Sequence, residues 1–438
     1  MGSAKLVSSE DWTFLGYSTR DFTHGFHLYP ARMHPEIARR LISKYATKRE
    51  KVVFDPFMGS GGVLVESLLH GNNSIGIDVN PFAVLLSKVK TTTVVPAKLQ
   101  NIFEKILTES ENDYSNKIRY DNAPKSKSLK LRFWYKRDVT YKLKILKHHI
   151  FGLKTQQPTK DFFKVCFSLT SRKASNQRNS IYKIYRMDPK KLEKFKPDVF
   201  DIFKQICEKN IEKMVDFSIT AKQKHALSFP LLGDSRNISE SFAKVPKEIF
   251  DDGKVHLVVT SPPYGDHKTT VAYGQFSKHP GLWLELPQDD LLEVDSIGLG
   301  GKRNHSFKDL GSPLLDDTIK KVEQNEKEII KNSKKPSRSV DVFSYFHDLD
   351  LCLEQISQVL KPNQSHCCFV VANRTVRRVK IPTDEIIVEL GKKYGLKHKD
   401  TIYRTIANKA MSAKNAPENI RDLAGNTMTR ESIVVWQF

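Results

Sequence analysis

The segment VVFDPFMGSGGVLVESLLH, residues 52–70, combines strand, turn and helix signals within nineteen residues. Its apolar start VVF predicts a short buried strand, DPFMGSGG predicts a turn, and VLVESLLH predicts a helix that ends at Gly71. Residues 74–78, SIGID, predict a second strand that ends on Asp78. A strand, a glycine loop, a helix and another strand in this order are typical of an α/β fold that binds a nucleotide-like ligand.

The glycine loop has features that narrow the kind of ligand. It lacks the G-x-G-x-x-G fingerprint, since the third glycine position is Leu64, and it lacks the Gly-Lys-Ser/Thr of a P-loop. Asp55 at the start of the loop suits a positively charged group and would be unfavourable beside a pyrophosphate. Asp78 stands where such folds place a carboxylate for two ribose hydroxyls. The loop therefore predicts a cationic cofactor without phosphate, although a glycine turn of this kind can also be purely structural.

A second candidate element is the segment VHLVVTSPPY, residues 255–264, which predicts a buried strand that ends in a double-proline turn. The two prolines fix φ and remove two amide donors, so the carbonyls of this turn can only accept hydrogen bonds. Ser261 adds a hydroxyl that can accept from the same amine, and Tyr264 adds a flat face for stacking a base. The composition suits a base that carries an NH₂ group, and a rigid structural turn is the alternative interpretation.

Together, DPFMGSG at residues 55–61 and TSPPY at residues 260–264 resemble the amino-methyltransferases that make N4-methylcytosine and N6-methyladenine in DNA. The stretch HLYPARMHP, residues 27–35, is similar to the N-terminal cofactor motif of restriction-modification methylases of this kind. The stretch GDSR, residues 233–236, resembles the next cofactor strand of the family, which implies that Asp234 lies near the adenine of the cofactor.

The resemblance covers about residues 12–92 and 225–438. It implies S-adenosylmethionine as the cofactor and a Rossmann-like class I methyltransferase fold, an α/β fold with a mostly parallel seven-stranded sheet covered by helices on both faces. The residues assigned to catalysis on this basis are Ser261, Pro262, Pro263 and Tyr264. Those assigned to the cofactor are Tyr29, Pro30, His34, Asp55, Phe57, Gly59, Ser60, Gly61, Asp78, Asp234 and Thr260.

The predicted reaction is direct in-line methyl transfer to the exocyclic nitrogen of a flipped-out base. Serine before Pro-Pro-Tyr is the common choice of N4-cytosine enzymes in this family, whereas aspartate or asparagine there usually implies adenine N6, which is the alternative target. Methylation at carbon 5 of cytosine is disfavoured, because it needs a nucleophilic cysteine after a proline and the chain has no Pro-Cys pair.

The net charge of +21 is concentrated in one part of the chain. Residues 98–196 contain 25 Lys/Arg and nine Asp/Glu, a net of +16, which favours a polyanionic partner over a merely solvated lysine-rich surface. We therefore predict a basic, mainly helical insertion at 98–225 as the candidate DNA-binding region. It would separate an N-terminal arm and cofactor half at 1–97 from a catalytic half at 226–438. Within the catalytic half, 265–340 is predicted to be a mobile loop region, apart from one charged helix near Asp317 to Lys331.

The segment RKASNQRNSIYKIYR, residues 172–186, also looks family-like. Its side chains Arg172, Asn176, Arg178 and Arg186 could meet phosphates or base edges, or could equally be partners in internal salt bridges.

The remaining features concern metals, compartment and competing functions. The five cysteines form no CxxC pair and no zinc spacing, which favours reduced core thiols and no metal site. The absence of a long apolar stretch and of a signal peptide predicts a cytoplasmic protein without a membrane. The resemblance to restriction-modification methylases implies that the protein is prokaryotic and associated with DNA. The expected partners are double-stranded DNA and, in a restriction-modification system, a cognate restriction endonuclease. Two alternative functions are considered for this chain, that of an RNA or protein-glutamine methyltransferase and that of a catalytically inactive nucleic-acid-binding protein.

Overall fold

The computed structural model describes residues 11–48, 51–126, 129–179, 181–250, 253–266, 270–329, 337–406 and 428–438, and the backbone of 414–415 and 425–426. The strands are β1 (Val53–Asp55), β2 (Ser74–Asp78), β3 (Ser228–Leu232), β4 (Leu257–Thr260), β5 (His366–Val371), β6 (Thr375–Val376), β7 (Val379–Lys380), β8 (Lys397–Thr405), β9 (Lys414–Asn415), β10 (Gly425–Asn426) and β11 (Arg430–Gln437). The α-helices are α1 (Pro35–Tyr45), α2 (Gly62–His70), α3 (Pro81–Thr91), α4 (Pro96–Ser115), α5 (Leu131–Trp134), α6 (Arg137–Phe151), α7 (Gln157–Ala174), α8 (Pro189–Lys194), α9 (Val199–Lys222), α10 (Ile238–Phe242), α11 (Tyr273–Trp283), α12 (Gln288–Ile297), α13 (Pro313–Ile329), α14 (Arg338–Val359) and α15 (Thr383–Lys392). Short 3-10 helices cover Phe22–Gly25 and Lys247–Ile249.

A seven-stranded sheet with the order β3-β2-β1-β4-β5-β11-β8 forms the centre of the fold. The first five strands in this order pair in parallel, and β11 pairs antiparallel with both β5 and β8. The strand order reverses direction between β1 and β4, since β2 and β3 lie on one side of β1 and β4 and β5 lie on the other. Ligands of open α/β sheets bind at such a reversal, beyond the carboxyl ends of the strands.

Helices cover both faces of the sheet, because successive strand residues point to opposite sides. Leu257 and Val259 of β4 belong to the same buried cluster as residues of α1 and α2. Val258 of β4 belongs to a second cluster with residues of α14 and α15. This double cover explains why β1 and β4 are buried along their whole length, without alternation of buried and exposed residues. The predicted mostly parallel seven-stranded sheet with helices on both faces is therefore confirmed.

Helices α4 to α9 form the basic segment between α3 and β3, and its predicted helical character is confirmed. Its helices share a core in which Phe103, Leu143, Phe162 and Phe203 are buried. The same core includes residues of α2, α3 and α11, so the segment packs directly on the helices that cover the sheet.

The segment 265–340 differs from the sequence-based expectation. The sequence predicted loops around one charged helix, whereas the structure has three helices, α11 to α13, between residues 273 and 329. The expectation was wrong there because Pro280 and Gly281 lie inside α11 and hide its helical pattern. Burial of Phe276 and Trp283 in the core shared with α7 outweighs these poor helix formers. Residues 267–269 and 330–336 lie outside the described residues.

Three further expectations concern cysteines, metals and membranes. All five cysteines are free and buried, in agreement with core thiols. Within the described ranges, no cluster of His, Cys, Asp and Glu is arranged to hold a metal ion. No helix in the part of the chain that the structure describes combines the length and apolarity needed to cross a membrane.

Candidate active site

The glycine loop and the double-proline turn meet at the carboxyl edge of the sheet. β1 and β4 are parallel neighbours, with Val53 opposite Leu257 and Phe54 opposite Val258. The last residues of the two strands are joined directly, because the Thr260 hydroxyl donates a hydrogen bond of 2.6 Å to Asp55 Oδ1. The two sequence motifs therefore form one site at the point where the strand order reverses.

A cavity of about 470 Å³ lies at this edge, a size that suits a small-molecule cofactor. The N-terminal arm, the glycine loop, the ends of β2 and β3, the proline turn and α12 all contribute to its lining. Lining residues that the sequence had singled out are Tyr29, Pro30, His34, Asp55, Phe57, Gly59, Ser60, Asp78, Asp234, Ser261 and Pro263. The predicted residues Gly61, Thr260, Pro262 and Tyr264 are immediate chain neighbours of these.

The glycine loop owes its shape to left-handed backbone conformations and to the carboxylate of Asp78. Gly59 and Gly61 have φ angles of +48° and +77°, which residues with a side chain rarely adopt. Asp78 Oδ2 accepts a hydrogen bond of 2.9 Å from the Gly59 amide, and its Oδ1 accepts one of 2.8 Å from the Asn80 amide. Asp78 thus joins the end of β2 to the loop while it lines the cavity.

Two buried carboxylates give the cavity its electrostatic character. Burial raises the pKa of Asp55 to about 7, although hydrogen bonds from Thr260 and the Phe57 amide oppose this rise. Burial also raises the pKa of Asp78 to about 6. Each carboxylate would be stabilised in its charged form by a cation, so the lining fits a positively charged ligand without phosphate.

The N-terminal motif packs over the glycine loop. The Tyr29 hydroxyl accepts a hydrogen bond of 3.3 Å from the side-chain nitrogen Nδ2 of Asn80. The Tyr29 ring lies against Gly59, where an added Cβ would be 3.2 Å from Tyr29 Cε1. His34 is the N-cap of α1 and accepts from the Glu36 amide at Nδ1. Burial lowers the pKa of His34 to about 4, so its ring is neutral.

Asp234, which follows β3, lies beside Arg236, a residue for which the sequence predicted no role in the site. Arg236 forms a two-pronged ion pair with Asp234, with nitrogen–oxygen distances of 2.6 Å and 3.0 Å. The same guanidinium donates to the Ile297 carbonyl at 2.7 Å and reaches Asp348 at 3.2 Å. Asp234 lines the cavity, but part of its hydrogen-bonding capacity is used by Arg236.

The proline turn is held by contacts from distant parts of the chain. The Tyr345 hydroxyl of α14 donates to the Pro263 carbonyl at 2.7 Å, so this acceptor is already used. Among the described residues, no donor reaches the Pro262 carbonyl. Directly after the turn, the buried Asp266 carboxylate accepts from Arg374 at 2.6 Å. Of the two proline carbonyls, that of Pro262 is therefore the better candidate to accept from a substrate.

A chain of hydrogen bonds runs from Ser261 to the last strand. Ser261 Oγ donates to the Tyr264 hydroxyl at 3.3 Å, and that hydroxyl donates to Glu431 Oε1 at 2.9 Å. Glu431 in turn is paired with Arg404 of β8. Glu431, Arg404 and Tyr345 could not be predicted from the sequence as part of this site, because they lie 81 to 170 residues from the turn and belong to no local motif.

Two of the four candidate DNA-binding residues are buried. Arg172 is 1% exposed, donates to the Ile181 carbonyl at 2.9 Å and lies over the Phe276 ring. Asn176 is buried as well and donates to the Phe133 carbonyl at 3.0 Å. Of the two roles that the sequence left open for Arg172 and Asn176, their burial and inward hydrogen bonds favour the internal one over direct contact with DNA. The carbonyl that accepts from Arg172 belongs to a hairpin.

That hairpin, which the structure describes at residues 177–179 and 181–186, carries the other two candidates on its surface. Gln177 and Arg186 form an antiparallel bridge, and the Arg178 amide donates to the Tyr185 carbonyl at 2.8 Å. The side chains of Arg178 and Arg186 are exposed. Tyr182, near the tip, is 44% exposed and also lines the cavity, so the hairpin lies beside the site.

Several known proteins are similar to this chain. A family model described as DNA methylase matches residues 7–89. The type II methyltransferase M.MvaI of Kocuria varians is 37% identical and aligns with 96% of this chain and 92% of its own length. The type II methyltransferase M.MjaII of Methanocaldococcus jannaschii is 31% identical over 129 residues, 29% of this chain and 24% of that protein. The solved rRNA methyltransferase aviRa of Streptomyces viridochromogenes aligns with 94% of this chain and 88% of its own at 11% identity, with a TM-score of 0.31.

The relation to M.MvaI extends over almost the whole of both chains, so it includes the helical segment as well as the strands on either side of it. The chain therefore belongs to the type II DNA methyltransferases of restriction-modification systems, enzymes that use S-adenosylmethionine to methylate DNA.

Proposed function

We propose that this enzyme methylates the exocyclic N4 of cytosine at a specific site in double-stranded DNA, with the target base rotated out of the helix. The observation that carries the choice of base is Ser261, which precedes Pro-Pro-Tyr at the edge of the cofactor cavity. Methylation of adenine N6 is the second candidate, since the family includes both activities. A base must leave the stack because its amino group is inaccessible within a duplex.

The hydrogen bonds of the turn explain how the site would activate a weak nucleophile. The amino group of cytosine is a poor nucleophile, because its lone pair is delocalised into the ring. Ser261 donates its own proton to Tyr264, so its oxygen lone pairs remain to accept from the amine. The Pro262 carbonyl supplies a second acceptor. Two acceptors on the two N–H groups favour a pyramidal nitrogen whose lone pair is directed at the methyl group.

S-adenosylmethionine supplies a methyl group activated by its sulfonium charge. We propose that Asp78 accepts hydrogen bonds from its ribose hydroxyls, that Asp234 lies near its adenine, and that Asp55 faces its positively charged amino-acid end. Tyr29, Pro30, His34, Phe57, Gly59, Ser60, Gly61 and Thr260 would complete the cofactor site. The location of Asp55 and Asp78 in one cavity supports this assignment, since both gain stability from a cation.

The affinity for S-adenosylmethionine is expected to depend on pH through Asp55. A cation prefers the ionised carboxylate, and a pKa of about 7 means that Asp55 is mostly protonated at pH 6 and mostly ionised at pH 8. Protonation of Asp55 should therefore raise the dissociation constant about tenfold at pH 6 relative to pH 8, and Asp78, with its pKa of about 6, adds a further factor of about two, so the wild type should show about a twentyfold difference. Isothermal titration calorimetry at both values would measure the difference.

The matched variant for this prediction is Asp55→Asn, which keeps an oxygen to accept from Thr260 but cannot ionise. Its pH dependence should shrink to about twofold, the amount that protonation of Asp78 near pH 6 would still contribute. A variant that keeps the full pH dependence of the wild type would exclude Asp55 as the titrating group.

Mass spectrometry of nucleosides tests the identity of the target base. Genomic DNA from a host that expresses the wild-type chain should contain N4-methylcytosine, and DNA from a host that expresses Ser261→Ala at the same level should contain much less of it. N6-methyladenine instead would establish the second candidate. Transfer of a labelled methyl group to RNA or protein but not to DNA would contradict the proposal as a whole.

We propose that the duplex lies against the basic helical segment, residues 98–225, and that the hairpin 177–186 contacts it beside the cavity. The hairpin exposes Arg178, Arg186, Tyr182 and Tyr185 together, a combination of cations and aromatic rings that suits phosphates and unstacked bases. In a restriction-modification system the methylated site would also be protected from a cognate restriction endonuclease, which is the partner activity that this proposal implies.

The double variant Arg178→Ala/Arg186→Ala is expected to bind DNA about tenfold more weakly at low salt. Each lost phosphate contact should also reduce the slope of log affinity against log salt by about one, so the slope should fall by about two. Fluorescence anisotropy with a labelled duplex over a salt series measures both quantities.

Lys320→Ala provides the matched control for this double variant, since it removes an exposed positive charge of α13 outside the hairpin. It should leave the DNA affinity within about twofold of the wild type. An equal loss in Lys320→Ala would show that only the total charge matters, and would remove the hairpin from the proposed interface.

A further inference from the structure

Lys90, near the end of α3, is a buried lysine in the wall of the cofactor cavity. It is 1% exposed, and its Nζ donates to Ser60 Oγ at 3.0 Å. Burial lowers its pKa well below the usual value, and the positive charges of Arg32 and Lys213 lower it further. Among the described residues no carboxylate forms an ion pair with Lys90, and the buried carboxylate of Glu66 is held by His24 and Arg39.

A buried ammonium group with one hydroxyl partner is unfavourable for stability, because burial removes its hydration and supplies no opposite charge. Packing does not require it either, since methionine would fill a similar volume without that cost. A buried lysine at this position is therefore better explained by the binding of a ligand than by a contribution to the stability of the fold.

A second feature of the same wall favours an anion. Helix α2 begins directly after Ser60, with Gly61 as its N-cap, and no side chain caps this end. Gly62 and Val63 of its first turn line the cavity. The free amides and the positive end of the helix dipole stabilise a negative group there. Lys90 and this helix end are thus two sources of positive potential that meet at Ser60.

We propose that Lys90, Ser60 and the N-terminus of α2 bind the α-carboxylate of the methionyl part of S-adenosylmethionine. This inference rests on the cofactor site proposed above and extends it to the negative group of the cofactor. The amino-acid end of the cofactor carries both charges, so a complete site needs an anion partner in addition to Asp55. Lys90 supplies it inside the cavity, where a DNA phosphate cannot reach a side chain that is almost fully buried.

Two ligands and two variants test the inference by isothermal titration calorimetry. The ligands are S-adenosylhomocysteine and its decarboxylated analogue, which differ only in the carboxylate. Wild-type protein should bind the decarboxylated analogue about tenfold more weakly. Lys90→Met should bind S-adenosylhomocysteine about tenfold more weakly than the wild type, but should bind the decarboxylated analogue within about twofold of it. Lys88→Met, at an exposed lysine of the same helix, should match the wild type with both ligands.

Thermal unfolding without ligand separates this role from a structural one. Lys90→Met should unfold at the same temperature as the wild type or above it, because a buried charge has been removed. The inference would be overturned if Lys90→Met lost affinity equally for both ligands, or if it were clearly less stable than the wild type without ligand. If the wild type binds both ligands equally, the assignment of the carboxylate to Lys90 is wrong but the proposed cofactor site stands. If the wild type binds neither ligand, both the assignment and the proposed cofactor site are wrong.

Discussion

Replacement of Ser261 by alanine is expected to lower kcat by about 100-fold or more, with little change in the binding of DNA or cofactor. The variant loses the hydroxyl that accepts from the target amine, and this interaction matters most when the nitrogen becomes pyramidal. Removal of one well-placed polar group from a preorganised site typically costs about 100-fold to 1,000-fold in kcat. The side chain is small and only partly buried, so the fold should not change. Single-turnover methyl transfer and calorimetric titration with S-adenosylhomocysteine measure the two quantities.

Tyr264→Phe should have a kcat between those of the wild type and Ser261→Ala. It keeps the ring for stacking and removes only the hydroxyl between Ser261 and Glu431. Without that acceptor the Ser261 proton can turn toward the amine, so kcat should fall by about tenfold. Ser239→Ala, at an exposed serine of α10, is the control and should retain full activity. Normal activity of Ser261→Ala with intact DNA and cofactor binding would refute the proposed activation of the amine.

The meeting of the two motifs could be predicted from the sequence because it depends on strands alone. Each motif directly follows a short apolar run, and parallel strands bring their carboxyl ends to one edge of the sheet. That rule places Asp55 and Thr260 together without knowledge of any side-chain contact, and the 2.6 Å hydrogen bond between them is what the structure adds.

The residues that hold the proline turn could not be predicted in this way. Tyr345 and Glu431 reach the turn from a long helix and from the last strand, and nothing in their local sequence marks them. The sequence could not decide between a DNA contact and an internal role for Arg172, because its guanidinium packs over Phe276 of α11, a helix that the sequence did not reveal. Lys90 is different, since it follows Ala83 and Leu86 by seven and four residues. Helical spacing therefore placed it on the apolar face of α3, and that signal was overlooked.

Gly61→Ala is the change expected to affect stability most among those of the glycine loop. At φ +77° an alanine is strained by about 1–2 kcal/mol. Its Cβ would lie 2.8 Å from Ser87 Oγ and 3.1 Å from Ser87 Cα. The Cα belongs to the backbone of α3 and cannot rotate away, so either the loop or the helix must move, at a cost of about 1–3 kcal/mol. Urea denaturation should show a loss of about 2–4 kcal/mol in the free energy of unfolding.

The same displacement should weaken cofactor binding, because Ser87 Oγ donates to the Gly59 carbonyl at 2.9 Å and thereby couples α3 to the loop. The affinity for S-adenosylhomocysteine is expected to fall by about tenfold or more. Gly62→Ala is a control one residue away, since its Cβ would meet no atom within 4 Å at the first position of α2. Alanine is the better helix former there and should raise the free energy of unfolding by about 0.5–1 kcal/mol. If Gly61→Ala lowers and Gly62→Ala raises the free energy of unfolding, the loop is shaped by the contact with Ser87 and by the left-handed backbone, not by a general need for glycine. Equal losses of stability in the two variants would contradict that explanation.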